Sequence, residues 1–359
     1  MKLRKSHVFT LVLVVIAAVI HIYSNDSTRV ENQYSVVFYP GFSRFLRYLF
    51  GWLPFSVGDV LYGGLIVWII WKFKSGVKAL YKKQVIRRQI VDKTAKAIRM
   101  LLVVYILFNL FWGINYNRQG IAEQLQLNTD KYSLEDLKTI NGLLVDKTNK
   151  ARQYLLERED TYPSKTALFS KVSEAYREAA QVYPFLQYQP VSVKPSLFSW
   201  LGNYLGFTGY YNPFTGEAQV NTLVPKFLQP FTTCHEVAHQ LGYAKEMEAN
   251  FVAYLAAKTS TDTLLHYSVY LDLFMYSNRN LFNMDSTAAV QSRHRLSSAV
   301  QSDLQEWKRF NERYRNPVEP IFKWGYGLYL ERNQQPRGVF SYDEVTAFVI
   351  AWYKKYGDI

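Results

Sequence analysis

With 359 residues and 49% hydrophobic content, the chain is long enough for a sizeable domain beside an anchor and too apolar to be disordered. Its formal charge of +13 suggests a nucleic-acid binder until the charge is located. The first five residues hold +3 and residues 72–99 hold +9, which leaves +1 for the rest, so the charge marks membrane topology and no nucleic-acid partner is expected.

Residues 6–25 carry no Asp, Glu, Lys or Arg, follow a basic start and are long enough to span a bilayer. A cleaved signal peptide is the other reading of such a start, but no small-x-small cleavage site follows and two further apolar runs do. The first span is placed at about 7–24. Residues 40–55, PGFSRFLRYLFGWLPF, interleave Arg44 and Arg47 with Phe, Leu and Trp, the composition of a helix lying at the membrane interface or of a loop packed on the main domain. A second span is placed at 55–71, with Asp59 near the interface, and a third at 100–116, ending in an aromatic belt of Phe111, Trp112 and Tyr116. Between them lies a basic loop, 72–99, helical over much of its length. Positive charge at the N-terminus and in this loop puts both in the cytoplasm, and three spans then put residues 117–359 outside it. The expected division is a membrane anchor over 1–116 and an extracytoplasmic domain over 117–359.

That domain reads as mainly α. Ser133 opens a helix to about residue 158, with Asp136 three residues on as in a capping box, and 164–182 is a second helix with Leu168, Val172, Ala175 and Ala179 on one stripe. Residues 183–205, rich in Pro, Ser and aromatics, read as a loop. A β-hairpin follows, its arms FTGYYN and GEAQVNTL joined by the turn NPFTG. Its second arm alternates Ala218, Val220 and Thr222 with Glu217, Gln219 and Asn221, which makes Gln219 and Asn221 either substrate-pocket residues or a solvated outer face. Helices are expected at 263–279, 287–315 and 345–356. Tyr210, Tyr211, Tyr326 and Tyr329 are candidates for stabilising an oxyanion.

The informative stretch is 231–257, FTTCHEVAHQLGYAKEMEANFVAYLAA. In its H-E-x-x-H, His235 and His239 stand four apart, about 40° from alignment on a helix, so both imidazoles leave one face as a pair of zinc ligands. Glu236 is rotated about 100° from His235, out of the ligand set but within reach of a water whose proton it takes. Cys234 is rotated equally and reads as packing. Gly242 provides a left-handed helix end, after which the chain folds back. A third ligand is needed, and Glu246 or Glu248 are the choices; about 200° separates them, so only one faces the metal. The face from Glu246 runs through Ala249, Asn250, Ala253 and Ala257, small enough for close helix approach. The face from Glu248 runs through Val252 and Leu255 and looks like ordinary core. The choice falls on Glu246.

H-E-x-x-H followed by E-x-x-A-N is similar to the gluzincins, zinc metallopeptidases with a glutamate ligand, although Asn250 stands where many of them have Asp. More closely, NPFTGEAQVN (212–221) and HEVAHQLGYAKEMEANF (235–251) behind a multi-span N-terminus resemble an uncharacterised bacterial membrane family with only a domain-of-unknown-function label, DUF3810. The first resemblance implies His235, His239 and Glu246 as Zn2+ ligands, Glu236 as general base and a peptide or protein as substrate. The gap between His239 and Glu246 is shorter than in many gluzincins. The expectation is a hydrolase anchored in the bacterial inner membrane by three spans, with its site on the periplasmic side. The alternative is a non-catalytic envelope-protein binding module with a structural or vestigial zinc site, and a transporter component rests on the spans alone.

Overall fold

The computed structural model describes residues 5–81, 87–159 and 161–359. Its N-terminal part is α1 (Lys5–Ser24), the single turn α2 (Ser27–Arg29) running into a π-helical stretch (Val30–Phe38), α3 (Tyr39–Phe50), α4 (Val57–Tyr81) and α5 (Arg87–Phe111). A 3-10 turn, Gly113–Asn117, and α6 (Ile121–Gln124) lead into α7 (Leu134–Glu157) and α8 (Lys165–Val182). Then come β1 (Val193–Pro195), α9 (Ser199–Leu205), β2 (Gly209–Asn212) and β3 (Glu217–Val220). The rest is helical: α10 (Gln229–Gln240), α11 (Glu246–Thr259), α12 (Thr263–Met284), α13 (Ser286–His294), α14 (Ser298–Tyr314), α15 (Val318–Arg332), a 3-10 segment Gly338–Glu344, and α16 (Val345–Tyr356). The chain is mainly α with one small sheet, as its periodicity implies.

Among the described residues, three helices are long and apolar enough to cross a membrane: Lys5–Ser24, Val57–Ala79 and Ile90–Phe111. The second and third differ from the expected 55–71 and 100–116. Helical backbone continues through most of the basic stretch, so 72–99 is chiefly the far ends of α4 and α5, and residues 82–86 lie outside the described residues. At the other end α5 stops at Phe111. Trp112 and Tyr116, expected in an interfacial belt, are instead 6% and 2% exposed beneath the domain, because the 3-10 turn carries them inward.

Two cores follow. The larger surrounds α11, whose run Ala249–Ala257 is buried on every side between α8, α10, α12 and α16. Small residues and aromatics alternate there (Ala253, Tyr254, Ala256 beside Phe251), and a helix buried all round has no polar face to show. The smaller core joins Leu13, Ile20, Ile106 and Trp112 to Tyr34, Tyr39 and Ala244, so the membrane helices and the domain share one cluster. The expected boundary at 116/117 therefore runs through packed side chains. A buried ion pair also crosses it, Arg118 to Glu31 at 2.6 Å with both side chains under a tenth exposed.

The sheet has the order β1-β3-β2, with β3 parallel to β1 (Val193↔Ala218) and antiparallel to β2 (Tyr211↔Ala218). A strand and a short helix thus occupy the stretch 183–205 that reads as a loop; three residues of strand are too few for an alternating pattern to show. The helix expected at 287–315 is broken at Arg295–Ser297, where Asn149 accepts from the Ser297 amide at 2.8 Å and Ser297 caps α14. The capping box at Ser133 and Asp136 is present, with both reciprocal bonds formed. No regular element was expected at 318–332, where α15 runs through Gly325 and Gly327.

Candidate metal centre

The site is built on α10, all twelve residues of which are buried. The helix ends as its sequence requires: Gly242 takes φ +89°, its amide donates to the His239 carbonyl at 3.0 Å, and the Tyr243 amide donates to Ala238 at 3.2 Å. This paired closure is the Schellman motif, which only a left-handed residue completes cheaply. It turns the Tyr243 carbonyl back onto His239 Nδ1 at 2.7 Å. Asn250, one turn into α11, places its Oδ1 2.7 Å from His235 Nδ1, while its own amide donates to the Tyr342 carbonyl at 3.3 Å. Both Nδ1 atoms therefore face acceptors, and each histidine turns Nε2 toward Glu246.

Glu246 Oε2 lies 3.1 Å from His235 Nε2 and 3.5 Å from His239 Nε2. With Nδ1 carrying the proton, Nε2 offers a lone pair, so three acceptors converge on one point. Four ligands about 2.0–2.1 Å from a tetrahedral ion stand about 3.3 Å from each other, and the two measured distances bracket that value. The ligand atoms of His235, His239 and Glu246 all fall within 4.8 Å of one another, the one such group among the described residues. These residues fit a metal ion.

Electrostatics agree. Burial alone would lower the His239 pKa, but the carboxylates of Glu246 and Glu236 outweigh it and raise it to about 9. Burial likewise opposes the charge on Glu246, yet the two imidazoles hold it well below the usual carboxylate range. His239 and Glu246 thus favour each other's charged forms, and a metal ion bound there would have to displace the imidazolium proton. His235 lies below its ordinary value, chiefly through burial.

Glu236 stands outside the ligand set. Burial pushes its carboxyl up to about 8, against His239 and helped by Glu246, and its Oε2 is buried without a hydrogen-bond partner. Its neighbour is the β2 edge: a Cβ on Gly209 would stand 2.5 Å from Glu236 Oε1. Glu248, the other choice for third ligand, points away, to Lys245 at 3.6 Å and against the backbone of Gly120. Cys234 is buried on another face of α10, its carbonyl bonded by Tyr176 at 2.6 Å.

Gln219 and Asn221 are fully buried and engaged within the fold. Gln219 bonds Ser56, and Asn221 donates to Asn203 and to the Phe207 carbonyl. Neither faces solvent: β3 is the central strand, Ser56 covers Gln219, and the segment from Asn203 to Phe207 covers Asn221. Among the candidate tyrosines, Tyr326 reaches the site and donates to Glu246 Oε1 at 2.8 Å. Tyr210 is bonded to Asp59 and Ser196, Tyr211 to Tyr39, and Tyr329 to Tyr116.

Several site residues gave no signal in the sequence. Tyr342 stacks on His235 (6.1 Å, 17°) and Trp112 stands edge-on to His239 (5.8 Å, 84°). Gln335 accepts from the Glu246 amide at 2.9 Å, fixing the start of α11 where no side-chain cap exists. The last carbonyls of α10 are held from the N-terminal segment: Trp112 Nε1 donates to His239 (3.1 Å), and Tyr39 (3.1 Å), Ser43 (2.8 Å) and Arg47 (3.3 Å) donate to Gln240.

Fold and site together define a membrane-associated, mainly helical protein with a buried His-His-Glu group suited to a metal ion. Residues 34–350 match the family described as protein of unknown function (DUF3810), and the chain belongs to that family. The match runs across the 116/117 boundary. No curated protein and no solved structure matches the chain.

Proposed function

We propose that this protein is a membrane-anchored zinc metallopeptidase that hydrolyses peptide bonds outside the cytoplasm, in the inner membrane of a bacterium. The observation that carries the reading is Glu236: a buried carboxylate with a free oxygen, next to three converging ligands and belonging to none of them. A purely structural site has no use for it.

His235, His239 and Glu246 would hold the zinc. A zinc ion held there would supply a Lewis acid for the scissile carbonyl and would make a water acidic enough to lose a proton near neutral pH. Glu236 Oε2 receives that proton and later passes it to the leaving amine; a carboxyl near neutrality suits both transfers. Asn250 and the Tyr243 carbonyl keep both imidazoles in the ligating tautomer. The positive charge at the N-terminus and over residues 72–99 supports a cytoplasmic location for both, with the site on the other side.

The near-complete burial of the site, with Glu246 3% exposed, favours a second reading in which zinc is structural and the domain binds an envelope partner. One experiment separates them. The full chain is purified in detergent as wild type, His239→Ala, Glu246→Ala and Glu236→Gln, and its metal content and cleavage of a peptide library are measured. About one zinc per chain, lost in the two ligand variants and kept in Glu236→Gln while cleavage disappears, is the expected result. Cleavage unchanged in Glu236→Gln would leave the structural reading; folded wild type that takes up no supplied zinc would end the peptidase reading and leave a binding module with a vestigial site.

A further inference from the structure

The domain shows an exposed apolar surface apart from its three long helices. On α15, Val318, Ile321, Trp324 and Leu328 recur at helical spacing; Ile321 and Trp324 are 66% and 68% exposed. Beside it, α9 and the residues before it expose Leu197, Trp200 and Leu201. The two helices pack together, and Asn316, just before α15, donates to the Tyr204 carbonyl of α9 at 2.7 Å. The charged residues of the first turns of α15, Glu319 and Lys323, pair with each other at 2.6 Å next to Gly206. They stand about 160–200° round the helix from Ile321, so the exposed stripe carries no charge through these turns.

What faces this stripe follows from its level along the membrane helices. Glu217 accepts from the first amides of α4, Val57 at 3.1 Å and Gly58 at 2.7 Å, so α4 is fixed to the sheet. The Leu197 amide donates to Asp59 at 2.7 Å, and the ring of Phe198 lies against Gly63, 3.8 Å from where a Cβ would stand. Gly63 is six residues into the apolar run that begins at Val57, or about 9 Å along its axis. On the other side Tyr329 packs edge-on to Phe108 (6.4 Å), about 4.5 Å inside the end of the third run at Phe111. Both α9 and α15 therefore stand level with apolar membrane-helix surface, and their own exposed apolar residues lie beside it.

We infer that α9 and α15 are embedded in the lipid leaflet on the domain side, with Leu197, Trp200, Ile321, Trp324 and Leu328 in contact with acyl chains and interfacial lipid. Water is the wrong neighbour for so many exposed apolar side chains at that depth, and large tryptophan side chains favour the headgroup boundary. The helix that meets the lipid also covers the metal ligands. Tyr326 is two residues from Trp324 and from Leu328, about 160° round α15 from both, and bonds Glu246. The metal centre thus lies at the bilayer surface, one helix diameter from lipid. This placement holds whatever reaction the centre performs.

Site-directed spin labelling of the full chain in lipid nanodiscs tests it. Cys234 is the single cysteine and is buried, so new thiols label selectively. Nitroxides at Trp200→Cys, Ile321→Cys and Trp324→Cys are compared with Lys150→Cys on the exposed face of α7. Collision with dissolved oxygen, which concentrates in lipid, is measured against collision with a water-soluble nickel chelate. The expected outcome is a several-fold excess of oxygen over nickel accessibility at all three positions and the reverse at Lys150→Cys. Nickel accessibility equal to that of Lys150→Cys would overturn the inference. So would protection from both reagents, which would mean a protein neighbour. Three independent positions keep the test decisive where one variant fails to fold.

Discussion

Asn250→Ala isolates what orients the first ligand. The wild-type amide is fully buried, accepts from His235 Nδ1 at 2.7 Å and is itself held by the Tyr342 carbonyl. Truncation leaves the imidazole N–H unpaired in a site where His235 is 7% exposed, too closed for bulk water to replace the lost acceptor. An orphaned buried donor costs about 1–3 kcal/mol, and partners of metal-bound histidines contribute about 10–100-fold in affinity; the two ranges agree. Zinc binding by Asn250→Ala should therefore weaken about 10–100-fold, read by competition with a chelator of known affinity on the full chain in detergent. Asn250→Asp keeps the acceptor and adds charge, so its affinity should equal or exceed that of wild type. An Asn250→Ala protein within about twofold of wild type, in a preparation where His239→Ala loses its metal, would refute this reasoning; that margin is far below the span just given.

Three further outcomes follow. Gly209→Ala places a methyl 2.5 Å from Glu236 Oε1 and should displace the carboxylate, so zinc content stays and, under the peptidase reading, turnover falls by on the order of 10²-fold; unchanged turnover would exclude Glu236 as the base. A fragment of residues 117–359 loses Tyr39, Ser43, Arg47 and Trp112 from the end of α10 and should neither unfold cooperatively nor hold zinc; a monomeric fragment with the metal content of the full chain would contradict this. Acid should free α16. Lys354 holds Asp136, and Lys258 with Lys147 holds Asp358, each carboxyl lowered to about 2. Both values lie below the ordinary 3.8, so the contribution is present above pH 3.8 and disappears as pH falls through about 2. Hydrogen exchange in α16, corrected for intrinsic rate, should rise over that window, and Asp136→Asn/Asp358→Asn should show the raised exchange already at pH 7.

The ligand-bearing helices were legible because their logic is local. Four-residue spacing sets the imidazoles, a glycine three residues on sets the turn, and the small-residue face of α11 distinguishes Glu246 from Glu248; each needs only helix geometry. Gln335, Tyr342 and Trp112 act on the same site from about 90 to 130 residues away, and no periodicity encodes such a meeting. Gln219 and Asn221 misled for a related reason. Alternation on a strand gives two faces but not what covers them, and here Ser56 and the start of α4 cover the face that a free hairpin would show to water. The glycines of α15 hid a helix whose stability comes from its neighbours and not from its own propensity.

The carbonyls that close α10 bear on how the finished protein is made. Their partners Tyr39, Ser43, Arg47 and Trp112 leave the ribosome before His235 does, and they sit on or beside helices that must first enter the bilayer. Docking of the last turn of α10 onto the platform they form is thus a late step of biogenesis, and under the proposed reading metal binding follows it. Under that reading, a chain still in the cytosol has the complete ligand sequence but lacks the platform, and it should compete poorly there for zinc.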